Sequence, residues 1–182
     1  MRRLIPVFDL DGTLVDSDAA LRAPFAALGV DPDSVPLGLP LAAACELAGV
    51  RVDDYLAAYD SAEVHPFAGV EELLGRLDRW AVCSNKARAS GVAELNRVGC
   101  WPEVVLFSDD FAGRPKELDP VLDALGLTPD SVVFVGDTDH DRTSARAAGV
   151  PFALAGWNPR PVPEPGDVVL HHPLDVLSLL DR

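Results

Sequence analysis

The sequence predicts an α/β fold: a Rossmann-like parallel sheet with helices on both faces, plus a small helical cap inserted after the first strand. Three observations predict it. Short apolar runs alternate with segments of helical spacing along most of the 182 residues. The runs are apolar throughout, as strands buried on both faces are. The alternation is interrupted between about Asp18 and Glu63, where Ala- and Leu-rich helical pieces follow one another with no convincing strand.

Taken in order, residues 4–8 (LIPVF) predict the first buried strand. Residues 19–28, 41–48 and 52–59 read as helices separated by GVDPDSVP and AGV, with hinges near 15–17 and 65–66. That divides the chain into a core, residues 1–17 with 64–182, and a cap, residues 18–63; the alternative is that these helices pack on the sheet. Further strands are predicted at 81–84, 104–107, 132–135, 152–154 and 168–170, and helices at 70–77, 87–98, 120–125, 142–148 and 174–180. The Pro-rich stretch 158–166 reads as a surface loop.

A hydrophobic content of 48% is enough to bury a sizeable core. The net charge of −14, from 29 acidic and 15 basic residues, predicts repulsion of nucleic acid and of anionic membranes. The expected partner is therefore a small molecule, with the chain a monomer or homodimer. Cys45, Cys83 and Cys100 are odd in number and lack CxxC spacing. Neither a disulfide framework nor a zinc site follows, and a reducing cytoplasm fits. The opening MRRLIPVFD is apolar for too few residues to be a signal peptide, and no run reaches the roughly 18 apolar residues of a membrane-spanning helix.

The chemistry concentrates after the first strand. Asp9 and Asp11 project from its carboxyl end, Gly12 permits close backbone approach, and Thr13 adds a hydroxyl beside backbone N–H groups placed to hold an anion. Two carboxylates this close need a cation or a shared proton, and Mg²⁺, a hard ion that takes oxygen ligands, is the expected cation. Asp-Gly alone is also an ordinary turn signal. A calcium loop fits worse, because the position of its closing Glu is Ala20. Three other segments have a similar double reading. Ser84 and Asn85 follow a strand and suit phosphate oxygens or a helix N-cap. Arg114 and Lys116 are cations before a helix or part of a solvated loop. Asp137 and Asp141 follow a strand and Gly136, as ligands or as dipole caps. All four segments fall at the carboxyl end of the inferred sheet, where ligands of such sheets bind.

The ordered set DLDGT, SNK, a Lys and GDTxxD resembles the haloacid dehalogenase-like hydrolase superfamily in its capped phosphatase branch, over nearly the whole chain. GLPL at 38–41, HPFAGVEELL at 65–74 and AGW-N at 155–158 are most similar to phosphoglycolate phosphatases. The resemblance implies Asp9 as nucleophile, Asp11 as general acid and then base, and Ser84 with the Gly12 and Thr13 loop, Asn85 and Lys116 around the phosphoryl group. It also implies Mg²⁺ held by the Asp9 side chain, the Asp11 carbonyl and Asp137, with Asp141 behind them. A β-phosphoglucomutase-like phosphotransferase or a nucleotidase would keep the same motifs. Asp11 argues against a dehalogenase, and the first lysine, Lys86, comes after the cap, so the cap holds no Schiff-base lysine. A phospho-accepting receiver would have no cap, and an inactive scaffold would have lost a motif carboxylate. The family's usual Lys-Pro-x-Pro is replaced by Arg114-Pro115-Lys116-Glu117-Leu118-Asp119-Pro120. Lys116 is favoured over Arg114 as the phosphoryl cation because a compact ammonium reaches a carboxylate and a phosphate oxygen together. The cap is short for a phosphoglycolate phosphatase.

Overall fold

Apolar runs too short to satisfy their own backbone groups must pair, and here six of them pair side by side. The computed structural model describes residues 3–180. Its elements are β1 (Ile5–Phe8), β2 (Val15–Asp16), α1 (Asp18–Ala27), α2 (Leu41–Ala48), α3 (Val52–Ala58), β3 (His65–Pro66), α4 (Val70–Leu74), β4 (Ala81–Cys83), α5 (Arg88–Val98), β5 (Val104–Leu106), α6 (Asp119–Leu125), β6 (Val132–Gly136), α7 (Asp139–Ala147), β7 (Phe152–Ala155), β8 (Val168–Leu170) and α8 (Val176–Leu180). The parallel sheet has the order β5-β4-β1-β6-β7-β8. β1 lies inside it, with later strands added first on one side and then on the other. That reversal opens a crevice at the carboxyl end of β1.

Successive residues of each strand enter opposite cores. Phe8, Val82, Val133 and Val135 pack on one face with α4, α5 and α8, through Val70, Leu73, Leu95, Val98, Val176 and Leu179. Val7, Ala81, Cys83, Val132 and Phe134 pack on the other with α6 and α7, through Val121, Leu122, Leu125 and Ala145. Burial on both faces is why the runs are apolar without alternation. α7 begins three residues before the spacing predicts, because Thr138 caps it and Asp141 completes a capping box. Residues 173–175 form a 3₁₀ turn, so the last helix starts late.

α1, α2 and α3 have a small core of their own, built from Phe25, Val35, Ala44, Cys45 and Tyr55. The chain leaves the sheet along β2 and returns along β3, and the two pair antiparallel with Val15 opposite Pro66 and Asp16 opposite His65. Strands of two residues carry no readable periodicity, so the pairing was not predicted. Among the described residues no helix is long and apolar enough to cross a membrane.

Gly91, inside α5, shows where packing overrides helix propensity. A Cβ there would lie 2.2 Å from Cε1 of Phe107, which is fully buried. Replacing a mid-helix Gly by Ala ordinarily adds up to about 1 kcal/mol. Here the overpacking outweighs that gain, and Gly91→Ala should destabilise the protein by roughly 1–3 kcal/mol in urea titration. A stabilised variant would show that α5 moves away from β5 without cost.

Candidate active site

Asp9 continues the line of β1, its N–H donating to the Val135 carbonyl at 2.9 Å, so its carboxylate is fixed by the sheet itself. The loop before α6 folds Lys116 beneath it. The Lys116 ammonium lies 2.7 Å from Asp9 Oδ1 and 2.5 Å from Asp141 Oδ1, and all three side chains are buried. The loop holds the lysine by both backbone groups: its N–H donates to Asn85 Oδ1 at 2.7 Å, and its carbonyl accepts from Ser144 Oγ at 3.0 Å. Arg114 is exposed and pairs with Glu117 at 2.9 Å. Asp141 is further engaged, with Oδ2 accepting from the N–H groups of Asp137 and Thr138 at 3.0 and 2.8 Å and from Thr138 Oγ1 at 2.7 Å.

Asp137, one residue past β6, faces Asp9 across the crevice. It accepts from Thr13 Oγ1 at 3.2 Å and from Asn158 Nδ2 at 3.2 Å, and it pairs with Arg160. Gly12, at φ 72°, permits this approach, since a Cβ there would stand 2.2 Å from Asp137 Oδ2. Carboxylate oxygens of Asp9, Asp137 and Asp141 lie within 4.8 Å of one another. Burial, opposed by the Lys116 charge and reinforced by Asp141, raises the Asp9 pKa to about 7. Burial, with the charges of Asp141 and Asp9, also holds Asp137 well above the ordinary carboxylate range. A dry cluster of hard oxygen donors, whose carboxylates raise one another's pKa, fits a divalent cation such as Mg²⁺.

Asp11 takes a different environment. Its Oδ1 is 2.7 Å from the Lys86 ammonium, which is also 3.1 Å from Glu94 Oε2 and donates to the Tyr59 hydroxyl at 2.9 Å. The Tyr59 hydroxyl donates in turn to Glu94 Oε1 at 2.5 Å. Burial works against the Lys86 charge, but Asp11 and Glu94 outweigh it and raise the lysine pKa. Ser84, at the end of β4, is buried beside the crevice and accepts the Lys86 N–H at 3.3 Å. Asn85 spans two segments, donating to the Gly38 carbonyl at 2.8 Å while accepting from Lys116. Asp9, Asp11, Ser84, Asn85 and Lys116 border one cavity, with Gly12, Thr13, Asp137 and Asp141 packed beneath or beside it.

Tyr59, Glu94, Asn158 and Arg160 were not assigned roles from sequence, nor was Lys86 beyond its place in SNK. Residues 158–166 were expected at the surface, but Asn158 is 4% exposed and its amide also donates to the Gly12 carbonyl at 2.9 Å. Trp157 Nε1 donates to the Thr13 carbonyl at 2.9 Å, and Arg160 Nε is 2.6 Å from Asp18 Oδ2. The AGW-N pattern was the available signal for this segment.

A profile of the haloacid dehalogenase-like hydrolases matches residues 43–155. The chain is 34% identical to a phosphoglycolate phosphatase of Caulobacter vibrioides, over 93% of this chain and 87% of that one. It is 28% identical to an N-acetylmuramic acid 6-phosphate phosphatase of Pseudomonas aeruginosa, over 100% of this chain and 96% of the relative. In fold it is similar to a haloacid dehalogenase-like family protein of Streptococcus pneumoniae, with a TM-score of 0.74 at 23% identity, covering 98% of each chain.

A cation entering this cluster must displace the proton that Asp9 holds below about pH 7. The raised pKa means that the folded state binds this proton more tightly than the unfolded chain does, so this group's contribution to metal-free stability falls as pH rises toward 7. Added Mg²⁺ should therefore raise Tm more at pH 8 than at pH 6, as read by thermal shift. Equal gains at both values would separate Asp9 from the cation site.

Proposed function

The chain belongs to the haloacid dehalogenase-like hydrolases as a phosphoric monoester hydrolase, and from that premise we propose that it hydrolyses a small phosphomonoester with Mg²⁺ through an aspartyl-phosphate on Asp9. The observation that carries this reading is the buried Lys116 ammonium shared by Asp9 and Asp141, with Asp137 opposite and Asp11 open to the cavity. A bound Mg²⁺, taken by the Asp9 and Asp137 carboxylates and the Asp11 carbonyl, would supply charge neutralisation on the phosphoryl oxygens.

The chain's own groups account for the rest. Asp9 attacks phosphorus in line, an O–P bond forming to its carboxylate as the bond to the alcohol oxygen breaks. Asp11 gives the departing oxygen its proton and then takes one from the water that cleaves the acyl phosphate, regenerating Asp9 and releasing phosphate. Lys86 fixes Asp11 from behind, so the acid is oriented before substrate arrives. The loop amides of Gly12 and Thr13, expected to help, instead donate to the Val15 and Leu10 carbonyls at 2.8 and 3.3 Å and hold the turn. Ser84 receives the phosphoryl oxygens. Lys116 balances charge that builds on them. Residues 18–63 serve as a cap over this site. They meet the core through Gly38 on Asn85, Tyr59 on Glu94 and Lys86, and Asp18 on Arg160. A cap closed over the site excludes water from the intermediate.

Asp9→Asn keeps the shape and removes the nucleophile, so turnover should fall by several orders of magnitude, on the order of 10⁴ or more. Activity within about tenfold of wild type, a barrier change of only about 1.4 kcal/mol, would overturn the aspartyl-phosphate mechanism. Asp11→Asn should lose activity while retaining the Mg²⁺-induced rise in Tm, since only its carbonyl is assigned to the metal.

Lys116→Ala and Arg114→Ala, measured side by side, test the phosphoryl cation. The lysine variant should lose kcat far more than it gains in KM, because its interaction strengthens as charge develops. The arginine variant should stay within about twofold, as exposed pairs contribute little. Loss of kcat in the arginine variant alone would reverse the assignment.

A further inference from the structure

The cavity above Asp9 and Asp11 has a polar floor and an apolar wall, and the wall comes from residues 18–63. Leu21, Phe25, Val35, Leu37, Leu39 and Leu41 line it, around a cavity of about 70 Å³ that opens to solvent. The polar side chains around the cavity, apart from those of its floor, are already committed to partners within the chain. Arg22 donates to the Pro32 carbonyl at 3.0 Å and pairs with Asp33. The Tyr55 hydroxyl donates to the Leu21 carbonyl at 2.9 Å, and Ser90 Oγ donates to the Ala87 carbonyl at 3.1 Å. Tyr59 and Lys86 are engaged with Glu94, and Asn85 with Gly38 and Lys116. Pro32 and Pro36, also in the wall, have no N–H to offer.

From this arrangement we propose that the alcohol released by the enzyme is apolar: the substrate is the phosphomonoester of an alkyl or aryl alcohol, not of a hydroxy acid or a sugar. The inference rests on the phosphatase reading above and adds the leaving group to it. A carboxylate placed against this wall would be desolvated, and Arg22, the one cation its residues 18–41 bring to the cavity, would have to leave Asp33 and the Pro32 carbonyl to meet it. A sugar would bury several hydroxyls against methyl groups and rings, each losing hydrogen bonds to water without replacement. An alkyl chain instead loses only contact with water, and each buried methylene favours binding. The polar floor takes the phosphoryl group, common to all phosphomonoesters, while the wall selects what is attached to it.

The test measures phosphate release by the Mg²⁺-loaded protein from primary alkyl phosphates of increasing length, ethyl to hexyl, beside 2-phosphoglycolate and glucose 6-phosphate. All are esters of primary alcohols, so leaving-group chemistry differs little along the alkyl series. kcat/KM should rise about fourfold per methylene and exceed the values for phosphoglycolate and glucose 6-phosphate at hexyl phosphate. Leu37→Arg, which places a cation in the wall, should raise the ratio of phosphoglycolate to hexyl phosphate turnover by about tenfold or more, an interaction of about 1.4 kcal/mol. That ratio does not depend on how much of the variant folds. A flat length profile with phosphoglycolate or glucose 6-phosphate preferred would overturn the apolar assignment and leave the phosphatase reading standing. Release of phosphate from none of the compounds by folded, Mg²⁺-loaded protein would overturn the phosphatase reading itself, and the leaving-group assignment with it.

Discussion

A lysine ammonium buried between two carboxylates imposes conditions on everything around it. Taking Lys116, Asp9 and Asp141 out of water costs several kcal/mol per ion, and only close, well-aligned pairing offsets that cost. Asp9 is therefore set on a strand, where the ladder to β6 fixes its backbone, and Asp141 on the first turn of α7, where three donors hold its other oxygen. The loop carrying Lys116 has correspondingly little freedom, with its N–H and carbonyl tied to Asn85 and Ser144. Lys116 and Arg160 are the cations that pair with these three buried carboxylates, Asp137 included, and the oxygens they leave uncovered are the donors a hard divalent ion takes.

The polar groups at the sheet's end fall into two sets with different surroundings. Asp9 and Asp141 form a dry set around Lys116 with Asp137 beside them, whereas Asp11 is joined through Lys86 to Glu94 and Tyr59 and keeps a face toward the cavity. Such a separation lets neighbouring carboxylates take different chemical roles. Glu94 takes part indirectly: burial and the charge of Asp11 raise its pKa to about 7, against the pull of Lys86. Its hydrogen bond with Tyr59 links the acid–base pair to the point where the inserted helices rejoin the core.

The inserted helices meet the core through polar contacts at their edges and present hydrocarbon at their centre. Gly38, Tyr59 and Asp18 supply the polar contacts, to Asn85, to Glu94 and Lys86, and to Arg160. Their separate small core lets them be ordered without contributing to the main sheet.

All six core strands were readable from sequence as short apolar runs between helical segments, and β1, β4, β6 and β7, buried along almost their whole length, must be apolar throughout. The four motif segments were readable as one site for a related reason: parallel strands put every following loop at the same end of the sheet. Helix ends shifted where capping overrode periodicity, as at Thr138 and Asp141. The pairing of β2 with β3 escaped notice because two residues cannot display a period. What only the tertiary structure decided was which charges meet. Lys116 and Arg114 are two residues apart and chemically similar on paper, yet one is buried between carboxylates and the other lies in solvent. Tyr59, Glu94 and Arg160 lie far along the chain from the carboxylates they serve, and no local pattern marks them. Local sequence determines the backbone's path through short-range sterics and burial, whereas partners 20 to 150 residues distant are set by the folded geometry, on the order of a single hydrogen-bond length of about 2.9 Å.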